Sequence, residues 1–448
     1  MNETSGRHRA QLRIGLASLW ARAKQVVSTD PTGADEDDYI VDEAAAHAMA
    51  REAGQLKGGL AKVAQLAAYD PSASLRGGNG GISAEAQRIL GQLWDHAPAV
   101  SAAAVASVIA EDLGKPPHHL FAHWDPTPLA AASLGQVHAA TGHDGTEYVI
   151  KVQYPNVATA LTADLRDRAF VRKLAGAHVG VSLDAAALDA LADAVAAELD
   201  YRREAASMTE FAEHWRRDPV LRIPVVVPAL SSARVLTMTR ARGVTVSELA
   251  SDGSATGQAV RRQAAAALLR FTWGSPLAYG ILNADPNPGN FLIDYRRGDD
   301  GDAHVWCLDF GCVTKLEESV QRADRELWWG LMDRDSARAS DRFRMGLFAA
   351  GLLARVDSLA SNVHREWEHA LVAPFGGPGF VWDAAYGKRL AHTTQAALAH
   401  GGLTLPAPLL LLWRQRLGAA AVLGMLNSVI DVRGELQGLI GTGVQALR

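Results

Sequence analysis

Apolar positions along the chain recur mostly at helical spacing, broken by one compact block of strand-like alternation and by a few short β-prone runs. Residues 8–27 set Leu12, Leu16, Leu19, Ala23 and Val27 along one helical face, with Arg9, Arg13, Arg22 and Lys24 mostly elsewhere, which predicts a basic amphipathic helix. Helical pattern resumes near Val41 and runs to about Tyr69. The glycine cluster at 77–81 marks a turn, and further helices are expected over 84–94 and 101–113, where Lys115-Pro116-Pro117 stops them. From Thr127 to Gln153 the texture changes, and Asp144-Gly145 supplies the hairpin turn of a three-stranded meander. Residues 156–217 return to helix; strands are expected at 223–227 and 235–238, a helix at 261–273, and strands at 291–293 and 305–308 around a hydrophilic turn at 299–302. Everything after about Glu317 reads as helical, with joints near 374–379 and 406–408, and no internal repeat is evident.

Composition narrows the class without naming a function. A chain of 448 residues with 48% apolar and 21% charged residues can bury a sizeable core. A net charge of -5 provides no global basic field, so nucleic acid is not an expected partner. Charge is uneven locally: Arg7 to Val27 carries no acid, and Asp30, Asp35, Glu36, Asp37 and Asp38 then reverse the sign. The first helix can therefore dock on an anionic membrane surface or pack its leucines on the body, packing being the commoner arrangement. Cys307 and Cys312 are too few for a disulfide framework and fit a reducing compartment. The most apolar stretch, Leu409 to Leu426, is interrupted by Arg414, Gln415 and Arg416, and Arg13 and Gly15 interrupt any secretory core. A cytoplasmic location follows, with peripheral membrane contact through the first helix as the form of association that the pattern allows.

Chemistry enters at four places. Ala130-Ala131-Ala132-Ser133-Leu134-Gly135-Gln136-Val137 reads like a kinase glycine-rich loop whose first two glycines have become alanines. Glycine lets backbone N–H groups approach phosphates closely, and alanine restricts that approach, so altered nucleotide handling is expected. Lys151 ends a short apolar run beyond the loop, where a kinase places the lysine that pairs with phosphates. Asp285-Pro286-Asn287-Pro288-Gly289-Asn290 has the Asp-x4-Asn spacing of a catalytic loop: Asp285 can orient a nucleophile and Asn290 can offer Mg²⁺ a neutral oxygen. Asp309-Phe310-Gly311 completes the set with a second metal ligand. Singly these are turn formers or a surface lysine; in this order they outweigh the bland alternatives. Between them, Glu198, Asp200 and Glu204 offer carboxylates on a helix, Asp200 and Glu204 on one face and Glu198 on another.

These residues resemble the UbiB family, also called the AarF or ADCK family, of atypical protein-kinase-like proteins, from about Lys57 to the end of the chain. Residues 130–138 resemble its alanine-rich loop, Glu198-x-Asp200 its E-x-D motif, and Lys62-Val63-Ala64-Gln65 its K-x-G-Q motif with alanine for glycine. The resemblance implies that Lys62 and Gln65 lie on a helix over the active site facing Glu198 and Asp200, while Glu204 partners Lys151. Asn283 stands where many members carry histidine, and no Ala-Pro-Glu follows Gly311 to build a peptide platform.

The resemblance implies an α+β, bilobed protein-kinase-like fold with a small antiparallel N-lobe sheet, a mainly helical C-lobe and a helical N-terminal extension. The expected division is 1–39 for the basic helix and acidic linker, 40–125 for the extension, 126–243 for the N-lobe and 244–448 for the C-lobe. ATP and Mg²⁺ are the implied cofactors, with Ala130, Ala131, Ala132, Ser133, Gly135, Gln136 and Lys151 toward nucleotide and Asn290 and Asp309 toward metal. The implied activity is Mg-dependent ATP hydrolysis supporting isoprenoid quinone or other lipid metabolism, with quinone precursors or other lipids as partners. The alternatives are a non-catalytic nucleotide-gated lipid-binding or scaffold module, and a small-molecule phosphotransferase.

Overall fold

The computed structural model describes residues 100–132, 134–155, 157–158, 199–295, 303–332, 336–353, 361–377, 379–401, 403 and 407–445. The basic helix at 8–27, the expected helices at 41–69 and 84–94, most of 156–198 and the turn at 299–302 lie outside them, as do Lys62, Gln65, Ser133 and Glu198.

The expected α+β kinase-like architecture is present. Helix α1 (Ala102–Leu113) starts at Ser101, whose hydroxyl accepts from the Ala104 amide, and stops at Gly114, which takes a left-handed φ of 74°. Strands β1 (His123–Ala132), β2 (Gly135–Thr141) and β3 (Glu147–Gln153) form the predicted meander, and β5 (Val235–Thr239) adds to β3 to complete a four-stranded sheet of order β1-β2-β3-β5. Gly145 makes the β2–β3 turn at a φ of 82°. Val105, Val108 and Ile109 of α1 share one core with Ile150, Val152 and Val235, so α1 covers one face of this sheet. Asp112 holds it there by accepting from the Ser232 hydroxyl and the Arg234 guanidinium. Alternation along β3 sends Lys151 and Gln153 to the opposite face, where the Gln153 amide donates to the carbonyls of Leu199 and Ala233 and ties down the approach to helix α2 (Tyr201–Trp215).

The short strands were the least legible part of the chain. A strand was expected at 223–227, but β4 occupies only Leu221–Arg222, pairing in parallel with β9 (His304–Cys307), and Val226 makes an isolated bridge to Met238. Strands β6 (Val244–Thr245) and β8 (Phe291–Asp294) complete the second sheet, of order β4-β9-β8-β6. Strands β7 (Ile281–Asn283) and β10 (Val313–Lys315) pair as a separate ribbon. After β6 the chain is mainly helical: α3 (Val246–Ser251), α4 (Ala255–Leu269), a π turn at Arg270–Gly274, α5 (Ser275–Tyr279), α6 (Glu318–Met332), α7 (Ser336–Ala349), α8 (Asn362–Val372), α9 (Ala384–His400), α10 (Ala407–Leu426) and α11 (Val432–Gln445). The expectation of helix alone after Glu317 misses β11 (Phe380–Trp382) and β12 (Ser428–Ile430), which pair antiparallel. Their span is too short for a two-residue period to register, and buried Trp382 fixes the pairing by donating its indole N–H to the Ala420 carbonyl.

Helix α10 is apolar on nearly every side, as a helix central to a core must be. Its charged interruption is internal rather than solvent-facing. Arg416, 1% exposed, makes two bonds to Asp324, at 2.7 and 2.6 Å, with its guanidinium 4.7 Å from the Trp328 ring centroid. Among the described residues no helix is long and apolar enough to cross a membrane.

Gly135 opens β2 against β3. A Cβ there would lie 2.1 Å from the Val152 carbonyl oxygen and 2.8 Å from its carbon, both backbone atoms that cannot turn aside. Gly135→Ala is expected to cost about 1–3 kcal/mol, the range for overpacking, read as a lower urea midpoint with an unchanged slope. An unaltered midpoint would show that the strands separate freely at this position.

Candidate active site

The site is assembled around a buried ammonium. Lys151 Nζ donates to Glu204 Oε1 at 2.9 Å and Oε2 at 3.0 Å, and to Asp309 Oδ2 at 3.3 Å, while the Tyr201 ring centroid lies 5.1 Å away. Strand β3 delivers the lysine and α2 the glutamate, and the segment after β9 delivers the aspartate. Glu204 Oε1 also accepts from the Phe310 amide at 3.4 Å, so one carboxylate joins α2 to both. Burial opposes the Lys151 charge, but the Asp309 and Glu204 carboxylates outweigh it and hold the ammonium well above the usual lysine range. Burial pushes Glu204 the other way, up to about 7, against the pull of Lys151.

Phe310 locks the same junction from below. It is buried against Phe211 of α2, with centroids 5.1 Å apart, and edge-on to Phe271 at 6.1 Å. Glu204 and Phe211 lie two turns apart on α2, so a single helix face grips both the lysine and the Asp-Phe-Gly segment. Gly311 donates its amide to Asp309 Oδ1 at 2.9 Å, which turns the aspartate toward Lys151.

The second half of the site is the turn after β7. Asn290 donates its side-chain amide to the Asp285 carbonyl at 3.1 Å and to Asp285 Oδ2 at 3.2 Å. Asn283 connects the halves: its Nδ2 donates to the Asp309 carbonyl at 2.6 Å and its Oδ1 accepts from the Asp285 amide at 3.1 Å. An asparagine can brace both segments at once because it carries a donor and an acceptor side by side. The Leu308 amide donates to the Asn290 carbonyl at 3.0 Å, fixing the turn against the strand that leads to Asp309.

Several expected residues are placed otherwise. Gln136 was expected at the nucleotide, but its amide is buried, exchanging bonds with the Val100 backbone and reaching His138, so it straps the segment before α1 to β2. Asp200 was expected to face Lys62; its carboxylate accepts from the Arg202 amide and caps α2, and Lys62 lies outside the described residues. Ala130, Ala131 and Ala132 continue β1 to the hairpin tip, paired with Val137, Gln136 and Gly135. No residue described in this hairpin has positive φ, so alanine fits its backbone, and Gly135 is required by the nearness of β3. Asn283, noted in sequence as an unusual residue, gains its two partners only in the fold, and one contributor went unrecognised in sequence: Arg414 of α10, whose Nη2 lies 3.7 Å from Asp285 Oδ1. The charge inside an apolar run was a signal for Arg414.

Comparisons with known proteins bear on the family and the fold. The ABC1 atypical kinase-like domain matches residues 92–342, more than half of the chain. The chain belongs to this family, the UbiB or ADCK proteins. It is similar to the rat mitochondrial atypical kinase COQ8B, with 27% identity over 95% of this chain and 77% of the relative. It is also similar to the mouse AarF domain-containing protein kinase 1, with 33% identity over 59% of this chain and 51% of the relative, so it spans only about half of that protein's length. Among solved structures, a Mycobacterium tuberculosis protein in complex with erythromycin matches with a TM-score of 0.61 and 25% identity, covering 89% of this chain and 98% of that one. The kinase-like fold of an ABC1 protein implies a nucleotide site served by a divalent metal.

The buried cluster makes a stability prediction. Lys151→Met leaves Glu204 buried without its cation and should destabilise the fold by about 3–5 kcal/mol at pH 8. Burial already raises the Glu204 carboxyl to about 7 against the pull of Lys151, and without that cation it is raised further and takes a proton as pH falls, so the loss should shrink at pH 6, and adding Glu204→Gln should recover much of it. Urea unfolding of the single and double variants at both pH values measures this; a loss independent of pH would contradict it.

Proposed function

We propose that this ABC1 protein binds ATP with Mg²⁺ between its two four-stranded sheets and hydrolyses it, and that the hydrolysis serves isoprenoid quinone or other lipid metabolism. The carrying observation is that Lys151, Glu204 and Asp309 form one bonded cluster, with Asp285 and Asn290 braced to it through Asn283. We divide the protein as its sequence suggests, with α1 in the helical extension of 40–125, an N-lobe over 126–243 and β6 onward as the C-lobe.

The donor set fits the metal. Asn290 spends its side-chain nitrogen on Asp285, and its side-chain Oδ1 makes no hydrogen bond among the described residues; Asp309 supplies a carboxylate one-third exposed. Among the described residues no group of three His, Cys, Asp or Glu gathers as a metal cage. A sparse oxygen set of this kind suits Mg²⁺, which keeps waters and substrate phosphates in its shell, whereas a closed all-protein site suits other ions. When bound, Mg²⁺ would neutralise charge on the phosphates.

The protein's own groups have separable tasks. Lys151, oriented by Glu204, pairs with phosphate oxygens; the alanine hairpin covers them; Asp285 orients the attacking hydroxyl or water. Retention of Lys151, Asp285, Asn290 and Asp309 together favours turnover over a gated module that only binds nucleotide, because such a module has no chemical need for all four. Water is the favoured acceptor, since the sequence after Gly311 lacks the Ala-Pro-Glu platform for a peptide.

Purified protein with Mg²⁺ and ATP should release phosphate, and faster with liposomes of anionic lipid. Asp285→Asn, nearly isosteric, should lower kcat by about 10²–10⁴-fold with little change in KM. Wild-type protein that binds Mg·ATP without releasing phosphate, with or without liposomes, would favour the gated module.

A further inference from the structure

Arg414 sits where an arginine is costly. It lies at the middle of α10, in a buried polar run with Gln415 and Arg416 inside an otherwise apolar helix, and is 8% exposed. Its Nε, like that of Arg416, is buried and makes no hydrogen bond, so burying this side chain leaves a donor uncompensated. The counter-charge it faces is Asp285, at 3.7 Å from Nη2 to Oδ1, and that carboxylate is itself largely buried. Such a pair is poor value for stability alone, since apolar residues of similar volume often serve as well or better. Its neighbour Arg416 shows what a structural arginine looks like on the same helix: two short bonds to Asp324 and an aromatic ring beneath.

The approach of α10 to the catalytic turn is built in. One turn beyond Arg414, Gly418 faces Pro286; a Cβ at Gly418 would fall 2.4 Å from Pro286 Cγ. The helix thus carries no side chain where it meets the residue following Asp285, and a guanidinium where it meets Asp285 itself. The turn from Asp285 to Asn290 contains no basic residue of its own. The two oxygens of Asp285 are divided: Oδ1 faces Arg414 and Oδ2 accepts from Asn290.

We propose that Arg414 is a positioning residue that holds the Asp285 carboxylate through Oδ1, so that Oδ2 retains the Asn290 side-chain nitrogen and the Asn290 side-chain Oδ1 stays available to the metal. The inference rests on the nucleotide and Mg²⁺ site proposed above and adds a distant contributor, delivered from the C-terminal helices. Arg414 does not touch the nucleotide; it acts through Asp285 and, through that residue, on Asn290.

The test uses full-length wild type, Arg414→Gln, Arg414→Lys, Asp285→Asn and the double variant Arg414→Gln/Asp285→Asn. Two quantities are read: the Mg²⁺ concentration needed to half-saturate the ADP-bound protein, by calorimetry, and kcat and KM for ATP hydrolysis. Arg414→Gln should raise the Mg²⁺ half-saturation and lower kcat, each by about tenfold, leaving metal-free ADP affinity and KM within about twofold of wild type. Arg414→Lys should recover part of both losses, and Arg414→Gln should add little in the Asp285→Asn background, because its effect runs through that carboxylate. A structural role alone would reduce metal-free ADP affinity in step with kcat and show no such dependence on Asp285. Unchanged Mg²⁺ half-saturation in Arg414→Gln, or equal losses with and without Asp285, overturns the proposal. Wild type that binds Mg·ADP but releases no phosphate removes the turnover reading while leaving the Mg²⁺ titration to decide on Arg414; wild type that binds no Mg·ADP overturns both.

Discussion

The buried contact between Lys151 and Glu204 is the constraint on which the rest of the structure depends. A charge withdrawn from water is tolerable only with a partner held in place, so β3 and α2 must meet at one registry. Everything that fixes that registry follows: the β3 pairing with β2 and β5, the Gln153 bonds before α2, the Asp200 cap, and the Phe211–Phe310 contact farther along the same helix. Asp309 joins through Oδ2, so the lysine that belongs to one sheet also orders the segment following the other. The same withdrawal from water makes the cluster chemically useful, because electrostatic interactions weaken less with distance there than at an exposed surface.

The alanine hairpin is explained by its backbone. Replacing glycines in a phosphate loop seems a loss, yet the residues described there are in ordinary extended conformation and need no positive φ. The glycine that cannot be replaced is Gly135, and its constraint is the Val152 carbonyl. The loop is a strand pair continued to its tip, anchored through Gln136 to the segment before α1. Whatever selectivity it has for nucleotide therefore comes with a stiffer cover than glycines would give.

Much of the site was legible in the chain because kinase-like chemistry places each group at a local motif. Lys151, Asp285, Asn290 and Asp309 each sit in a recognisable strand or turn, and Glu204 lies on α2, whose start Asp200 caps. The strands β7, β10, β11 and β12 were not legible, since three residues cannot display a period and their pairings are set by distant partners. Arg414 was visible only as an interruption of an apolar run; that it faces Asp285 depends on how α10 crosses the catalytic turn, which sequence spacing does not encode. Asn283 was noted as an unusual residue, but its two bonds, to Asp309 and Asp285, exist only once β7 and β10 bring the segments together.

The claim that joins these observations is that the Lys151–Glu204–Asp309 cluster is a metal-assisted nucleotide site. Calorimetric titration of ADP into the full chain, with and without Mg²⁺, for wild type and Asp309→Asn, tests it most directly. Wild type should bind ADP saturably and at least about tenfold more tightly with Mg²⁺, the scale of one charge-assisted contact, and Asp309→Asn should lose that enhancement while remaining folded. ADP binding that is indifferent to Mg²⁺ in the wild type, or a Mg²⁺ enhancement that survives Asp309→Asn, would contradict it.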